Sequence, residues 1–391
     1  MDTSPLRGRR IHFAGSAAAN ADERLVAYAH SVIQALTRHL VSEGATFAIP
    51  FGREPRLNSG ADAPSIIFDW SVAEVIGALL QDGVVSAAGP NGRLIATVST
   101  SRTDEHIPDV RRPLYNDLRS RDAVEMRFLT PGWTAGALQR QAMAQVGDIL
   151  IAISGGQGVE QLATEYSARG KPVIPLDLQL GASSGDGSGG AARLFSRALE
   201  DHKLFFRLKD DAAATDLLDR TRTRNGDSEP DVVVAALLDV LHALTPPRAF
   251  YVRMLNPKLP DYPAVEKFFR GSVDVLVRSL GYEPLEMGKG DNEFAWLNEA
   301  IFHSLHHSSV VVVDVTGLRP NCFVELGYAL GNGQRVILTA MDGTNFPFDV
   351  FAIDHFPWKE GEEISAQLDR FRTHWERNID MPKLVRPNEA R

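Results

Sequence analysis

One stretch of this chain concentrates residues that can do chemistry. Val310-Val311-Val312-Val313-Asp314 is followed by Val315-Thr316-Gly317-Leu318-Arg319-Pro320-Asn321-Cys322-Phe323-Val324-Glu325-Leu326-Gly327-Tyr328-Ala329. The valine run reads as a buried parallel strand, and ligands in parallel α/β sheets bind beyond the carboxyl ends of strands. Asp314, Thr316 and Asn321 fall at that edge. Asn321 is placed to cap the following helix, with Glu325 one turn in and Tyr328 beside it. A carboxylate there is expected to be held ionised by exposed backbone N–H groups. It could act as a nucleophile, or stabilise a sugar cation while a glycosidic bond breaks. On spacing alone, Glu325 as an ordinary first-turn acid is the favoured reading.

A second candidate is Ser154-Gly155-Gly156-Gln157-Gly158-Val159-Glu160, after the apolar strand Ile149 to Ile153. Glycines let a backbone approach a phosphate or ribose, and the helix that follows favours negative charge at its start. No Gly-Lys-Ser/Thr follows, so this is not a P-loop, nor is it a full dinucleotide fingerprint. A tight strand-to-helix turn is the plain alternative. Gly15-Ser16 and Thr130-Pro131-Gly132, each after its own strand, would gather with this loop at one sheet edge.

These two segments carry two resemblances. Asp-x-Thr-Gly-x-x-Pro-Asn-x-Phe-x-Glu-Leu-Gly-Tyr-Ala, with Pro347-Phe348-Asp349 downstream, resembles nucleoside 2-deoxyribosyltransferases and their TIR-like relatives over about residues 249–358. The resemblance implies Glu325 acting at the anomeric carbon of a nucleoside or of NAD. It also implies a substrate pocket built from Asp314, Thr316, Asn321, Arg253, Tyr328 and Asp349. Val324 stands where those families often have Tyr, and Arg253-Met254-Leu255 where they often have Met-Pro-Phe. The first block, about residues 11–178, resembles the SLOG superfamily of Rossmann-like nucleotide-binding proteins. That implies nucleotide binding by Gly15, Ser16, Gly132, Gly155, Gly156, Gly158 and Glu160. Ser154 replaces the proline and Val159 the threonine of that family's phosphate loop, which favours ligand sensing over phosphoribohydrolase catalysis.

The surrounding elements must hold these segments. In the first block, strand 11–14, helix 21–42 and strand 46–50 form a βαβ unit. A helix at 71–80 and a strand at 94–98 follow. Residues 99–123 read as irregular. Strands at 124–129, 148–153 and 172–176 alternate with helices at 134–145 and 159–168. Gly181 to Gly190 reads as a loop before helices at 191–199, 212–218 and 232–244. In the second block, strands are expected at 249–254, 309–315 and 335–339, and helices at 264–280, 293–307, 323–330 and 363–376. The fold class expected is α/β, with two tandem Rossmann-like domains, residues 1–246 and 247–391, divided at Thr245-Pro246-Pro247.

Composition sets outer limits. The 391 residues are 44% hydrophobic and 23% charged, enough to build real cores. A net charge of -9 argues against direct nucleic-acid binding, and Arg7, Arg9 and Arg10 read as a solvated tail. Cys322 is the only cysteine, which excludes an intramolecular disulfide. No apolar run is long enough to span a membrane. A cytoplasmic homo-oligomer is expected, with no metal and no cofactor, NAD or a nucleotide being substrate or ligand. His303, His306 and His307 share a helical stretch but read as a polar helix end. Trp133, Trp296 and Trp358 read as core residues, Trp296 also as a surface for stacking a base.

The functional expectation is a nucleotide-sensing protein whose C-terminal domain cleaves an N-glycosidic bond, in the manner of prokaryotic anti-phage effectors. Two alternatives stay open. One is a non-catalytic binder of nucleotide signals that assembles or recruits a partner. The other is a nucleoside base-exchange enzyme.

Overall fold

The computed structural model describes residues 4–60, 63–90, 92–100, 103–129, 135–181, 190–286, 297–347, 350 and 353–379. The chain divides into two compact units, one built chiefly from Ser4–Gly89 and Arg93–Thr245, the other chiefly from Pro246–Arg386. Both are parallel sheets flanked by helices.

The first unit begins with β1 (Arg10–Ala14) and a 20-residue helix, Glu23–Ser42. Asp22 caps that helix by accepting from the N–H groups of Arg24 and Leu25. Leu25, Val26, Ala29, Val32, Ile33, Leu36 and Leu40 form its buried stripe, the spacing of one helix face. Then come β2 (Thr46–Ala48), the short ribbon β3 (Ala88–Gly89) and β4 (Gly92–Arg93), β5 (Ile95–Thr100), β6 (Val124–Leu129), β7 (Ile149–Ile153) and β8 (Val173–Leu176). The main sheet runs β6-β5-β2-β1-β7-β8, parallel throughout. Strand order reverses between β1 and β7, and a ligand crevice is expected beyond the ends of those two strands.

The second unit contains β9 (Arg248–Val252), β10 (Glu283–Leu285), β11 (Val310–Asp314), β12 (Val336–Met341) and β13 (His355–Trp358). Their order is β10-β9-β11-β12-β13, again parallel. Alternate residues of β9 and β11 divide between two cores. Ala249, Tyr251, Val310 and Val312 pack against the helical stretch 262–279 and helix Ile364–Asn378. Phe250, Val252, Val311 and Val313 pack against Cys322, Leu326 and Ala329 of helix Pro320–Gly331.

Several expectations needed correction. Residues 99–123 are not irregular: helices Thr103–His106 and Arg112–Ser120 lie there. The second buries only Tyr115 and Leu118, too sparse a stripe to announce itself. β10 and β13 carry Pro284 and Pro357 on the two edges of their sheet, where a missing N–H is tolerated. Arg9 and Arg10 are not a solvated tail but buried. The Arg10 N–H donates to Asp148 (2.9 Å) and its guanidinium faces Glu125 at 3.9 Å. No described helix is long and apolar enough to cross a membrane.

Candidate functional site

At the reversal point of the first sheet lies a crevice of about 370 Å³, within the range of small-ligand sites. Its floor is His12 to Ser16, the end of β1 and the turn after it. Pro50 and Asp69 form one side. Gly156, Gln157 and Gly158, opening helix Gln157–Ser167, form another. Gln139, Arg140 and Met143 of helix Ala135–Val146 close it.

Glycine is required where the two strand ends meet. Gly15 has φ +146°, and a Cβ there would sit 1.7 Å from the carbonyl oxygen of Ile153. Gly155 has φ +75°, and its N–H donates to Ser16 O at 2.9 Å. Ser154 adopts φ +51° and donates its hydroxyl to Gly181 O. These contacts knit the two turns together. Gly156 caps the helix with no side-chain acceptor, and the residues that open the helix, Gln157 and Gly158, line the crevice. Arg140 donates from Nε to Gln161 at 2.9 Å. Its Nη1 lies beside both Gly136 and Gly158. Glu160 instead pairs with Arg193 at 3.2 Å and does not line the crevice. Gly132 lies outside the described residues.

Asp69 is the residue that sequence reasoning missed. It is the first residue of helix Asp69–Gln81, where an acid ordinarily means helix stabilisation. Burial against the crevice wall pushes its pKa up to about 7, with its own backbone N–H partly opposing. Such a carboxyl shares its proton near neutrality, as a general acid or base requires. Nothing in the sequence says that this acid faces a cavity. His12, on the crevice floor, is driven the other way: burial lowers its pKa to about 3, so it is neutral. Its Nδ1 and Tyr166 Oη share a hydrogen bond of 3.0 Å.

In the second unit the structure separates the residues expected to form one pocket. Asp314 is buried, and its pKa is raised by that burial against several hydrogen bonds. It accepts from Thr316 N–H (3.1 Å), Thr339 Oγ1 (2.8 Å) and Trp358 Nε1 (2.8 Å). The Thr316 hydroxyl accepts from Met341 N–H at 2.9 Å. Both residues tie the strand ends together. Arg253 lies on the sheet face covered by residues 262–279, opposite to helix Pro320–Gly331, and bonds to Glu266 and Glu286. Asn321 and Tyr328 are exposed, Tyr328 within 3.2 Å of His306 Nδ1. Asp349 lies outside the described residues, as do Trp133 and Trp296. Among the described residues no group of three His, Cys, Asp or Glu could hold a metal ion.

Two local expectations fail on this helix. Asn321 is not the cap: Pro320 occupies the first helical position and Arg319 the cap. Proline, with φ preset and no N–H to satisfy, takes that place readily. Glu325 is therefore the sixth helical residue, beyond the unbonded N–H groups that would hold it ionised. Burial raises its pKa to about 7 instead.

Fold and crevice together define a Rossmann-like α/β protein with a glycine-walled crevice at the strand reversal of its first sheet. The chain belongs to the Cap17-like family: residues 6–241 match the model described as "ATP nucleosidase Cap17-like, N-terminal". ATP nucleosidase Cap17 of Escherichia coli strain KTE188 is 25% identical over 179 residues, 46% of this chain and 34% of its own length. A second Escherichia coli ATP nucleosidase Cap17 matches with the same identity and coverage. The match thus spans about a third of the curated relatives.

Proposed function

We propose that this chain binds an adenine nucleotide in the crevice of its first unit and hydrolyses the N-glycosidic bond there, in the service of anti-phage defence. One observation carries the reading. A glycine-walled helix N-terminus, Arg140 and the proton-sharing carboxyl of Asp69 line a single crevice. The family model and the relatives' names, which specify an ATP nucleosidase, support it.

In this reading the phosphates rest on the N–H groups of Gln157 and Gly158 and on Arg140. The base lies toward Asp69. As the bond between base and anomeric carbon breaks, the base leaves with the electron pair and takes the Asp69 proton. Water adds to the anomeric carbon and returns a proton to Asp69. The products are free base and the ribose phosphate. The test is to incubate the full chain with ATP and follow adenine by chromatography. Asp69→Asn slows release by orders of magnitude and Glu325→Gln retains it.

A second reading is favoured by Glu325, the other half-buried carboxyl with a pKa near 7. Here the crevice senses a nucleotide and Glu325 cleaves NAD or a nucleoside. Release lost in Glu325→Gln but kept in Asp69→Asn moves the chemistry to the second unit. Nucleotide binding with no base released from ATP, NAD or nucleosides supports a non-catalytic signal binder.

A further inference from the structure

The second unit contains a cavity of about 240 Å³ that neither reading above employs. It lies where the ends of β9 and β10 meet residues 262–279. Its charged walls are Arg253, Arg270, Arg278, Glu266, Asp274 and Glu286. The helical stretch behind it is interrupted by a π turn, Phe269–Val273, whose first two residues line the cavity. Single π turns are concentrated at functional sites.

The Arg253 side chain is only 3% exposed. Its Nε donates to Glu286, its Nη2 lies 2.6 Å from Glu266, and its guanidinium sits 4.9 Å from the Phe269 ring centre. Its Nη1 is buried and meets no acceptor. A buried charged donor left unbonded is unfavourable and calls for explanation. The carboxylates around it are engaged. Glu266 also accepts from Arg270 at 2.5 Å, and Asp274 accepts from Tyr251 Oη at 2.9 Å. Arg278, on the rim, makes no ion pair among the described residues.

We propose that this cavity binds a small oxyanion, the carboxylate or phosphate end of a metabolite. The anion supplies the acceptor that Arg253 Nη1 lacks, and Arg278 balances its charge. The site is independent of the crevice and of Glu325. The experiment is calorimetric titration of the full chain with inorganic phosphate and, separately, with acetate. The wild type binds at least one. Phosphate alone marks a phosphate ester as the natural ligand, acetate alone a carboxylate. Affinity falls at least tenfold in Arg253→Lys, because a point charge does not replace a planar fork, and likewise in Arg278→Gln. It is unchanged in Arg140→Gln, which excludes the crevice as the site measured. If Arg253→Lys does not fold, by circular dichroism, Arg278→Gln carries the test. Binding of neither anion, binding indifferent to Arg278→Gln, or loss only in Arg140→Gln overturns the proposal.

Discussion

Asp69 can be tested through stability as well as activity. Its pKa in the folded chain, about 7, is raised above the ordinary carboxylate value. The folded state therefore holds a proton that the unfolded state releases, and stability falls as pH climbs from about 4 to about 7. Asp69→Asn removes that penalty. Its melting temperature exceeds that of wild type increasingly across this window and by a constant margin above it, which scanning calorimetry at a series of pH values checks. Base release depends on the same proton. If Asp69 donates the proton, the wild-type rate declines above about pH 7, and Asp69→Asn costs on the order of 10²–10⁴-fold.

At the scale of elements, the crevice depends on how its walls are pinned. Arg111 donates Nε to Glu54 at 2.9 Å and Nη2 to the other Glu54 oxygen at 2.5 Å, and also bonds Glu74. It thus joins the segment after β2 to the helix that Asp69 begins. Trp70, next to Asp69, donates from its indole to Gly52 O at 3.2 Å. Ser71 shares a 2.6 Å hydrogen bond with His30, which also bonds Ser65 O. The Glu54 side chain is 2% exposed, and Arg111→Met leaves its carboxylate with only the looser pairing to the half-exposed Arg56 at 3.7 Å among the described residues. That costs about 3 kcal/mol, the low end for a broken buried pair. Chemical denaturation reads the loss, and Glu54→Gln in the same chain recovers much of it. Gly15→Ala forces a methyl group into the Ile153 carbonyl. Nucleotide binding, followed by calorimetry, is expected to disappear while secondary structure by circular dichroism is kept.

Much of the scaffold was legible because the rules that built it are local. The run Val310 to Val313 could hardly be anything but a buried strand, and the helix-spaced apolar residues from Leu25 to Leu40 marked a face. The glycine turns at 15 and 155–158 were readable as close approaches of backbone. Partnership across the fold was not. Asp314 read as a pocket residue because it ends a strand. Only the packing shows that Trp358 and Thr339, far along the chain, engage its carboxyl. Arg253 was grouped with Glu325 by resemblance, yet alternation along β9 sends it to the other face. Asp69 escaped for the same reason: an acid at a helix start has a local explanation, and its cavity is non-local.

For the whole molecule, two units with separate cores imply separable folding. The first unit, residues 1–245, is predicted to express as a soluble domain and to bind ATP with the affinity of the full chain, measured by calorimetry. A markedly weaker affinity would mean that the second unit contributes to the site.

Cys322 gives an experimental handle on that separation. It is the only thiol in the chain, it is buried in the second unit, and burial drives its pKa to about 12. In the native protein it is therefore nearly inert to alkylating reagents. Whatever labelling occurs counts the moments when helix Pro320–Gly331 opens. The same chain is thus a clock for one half of itself, silent about the other. A dye placed on a cysteine introduced into the first unit would find almost no native competitor.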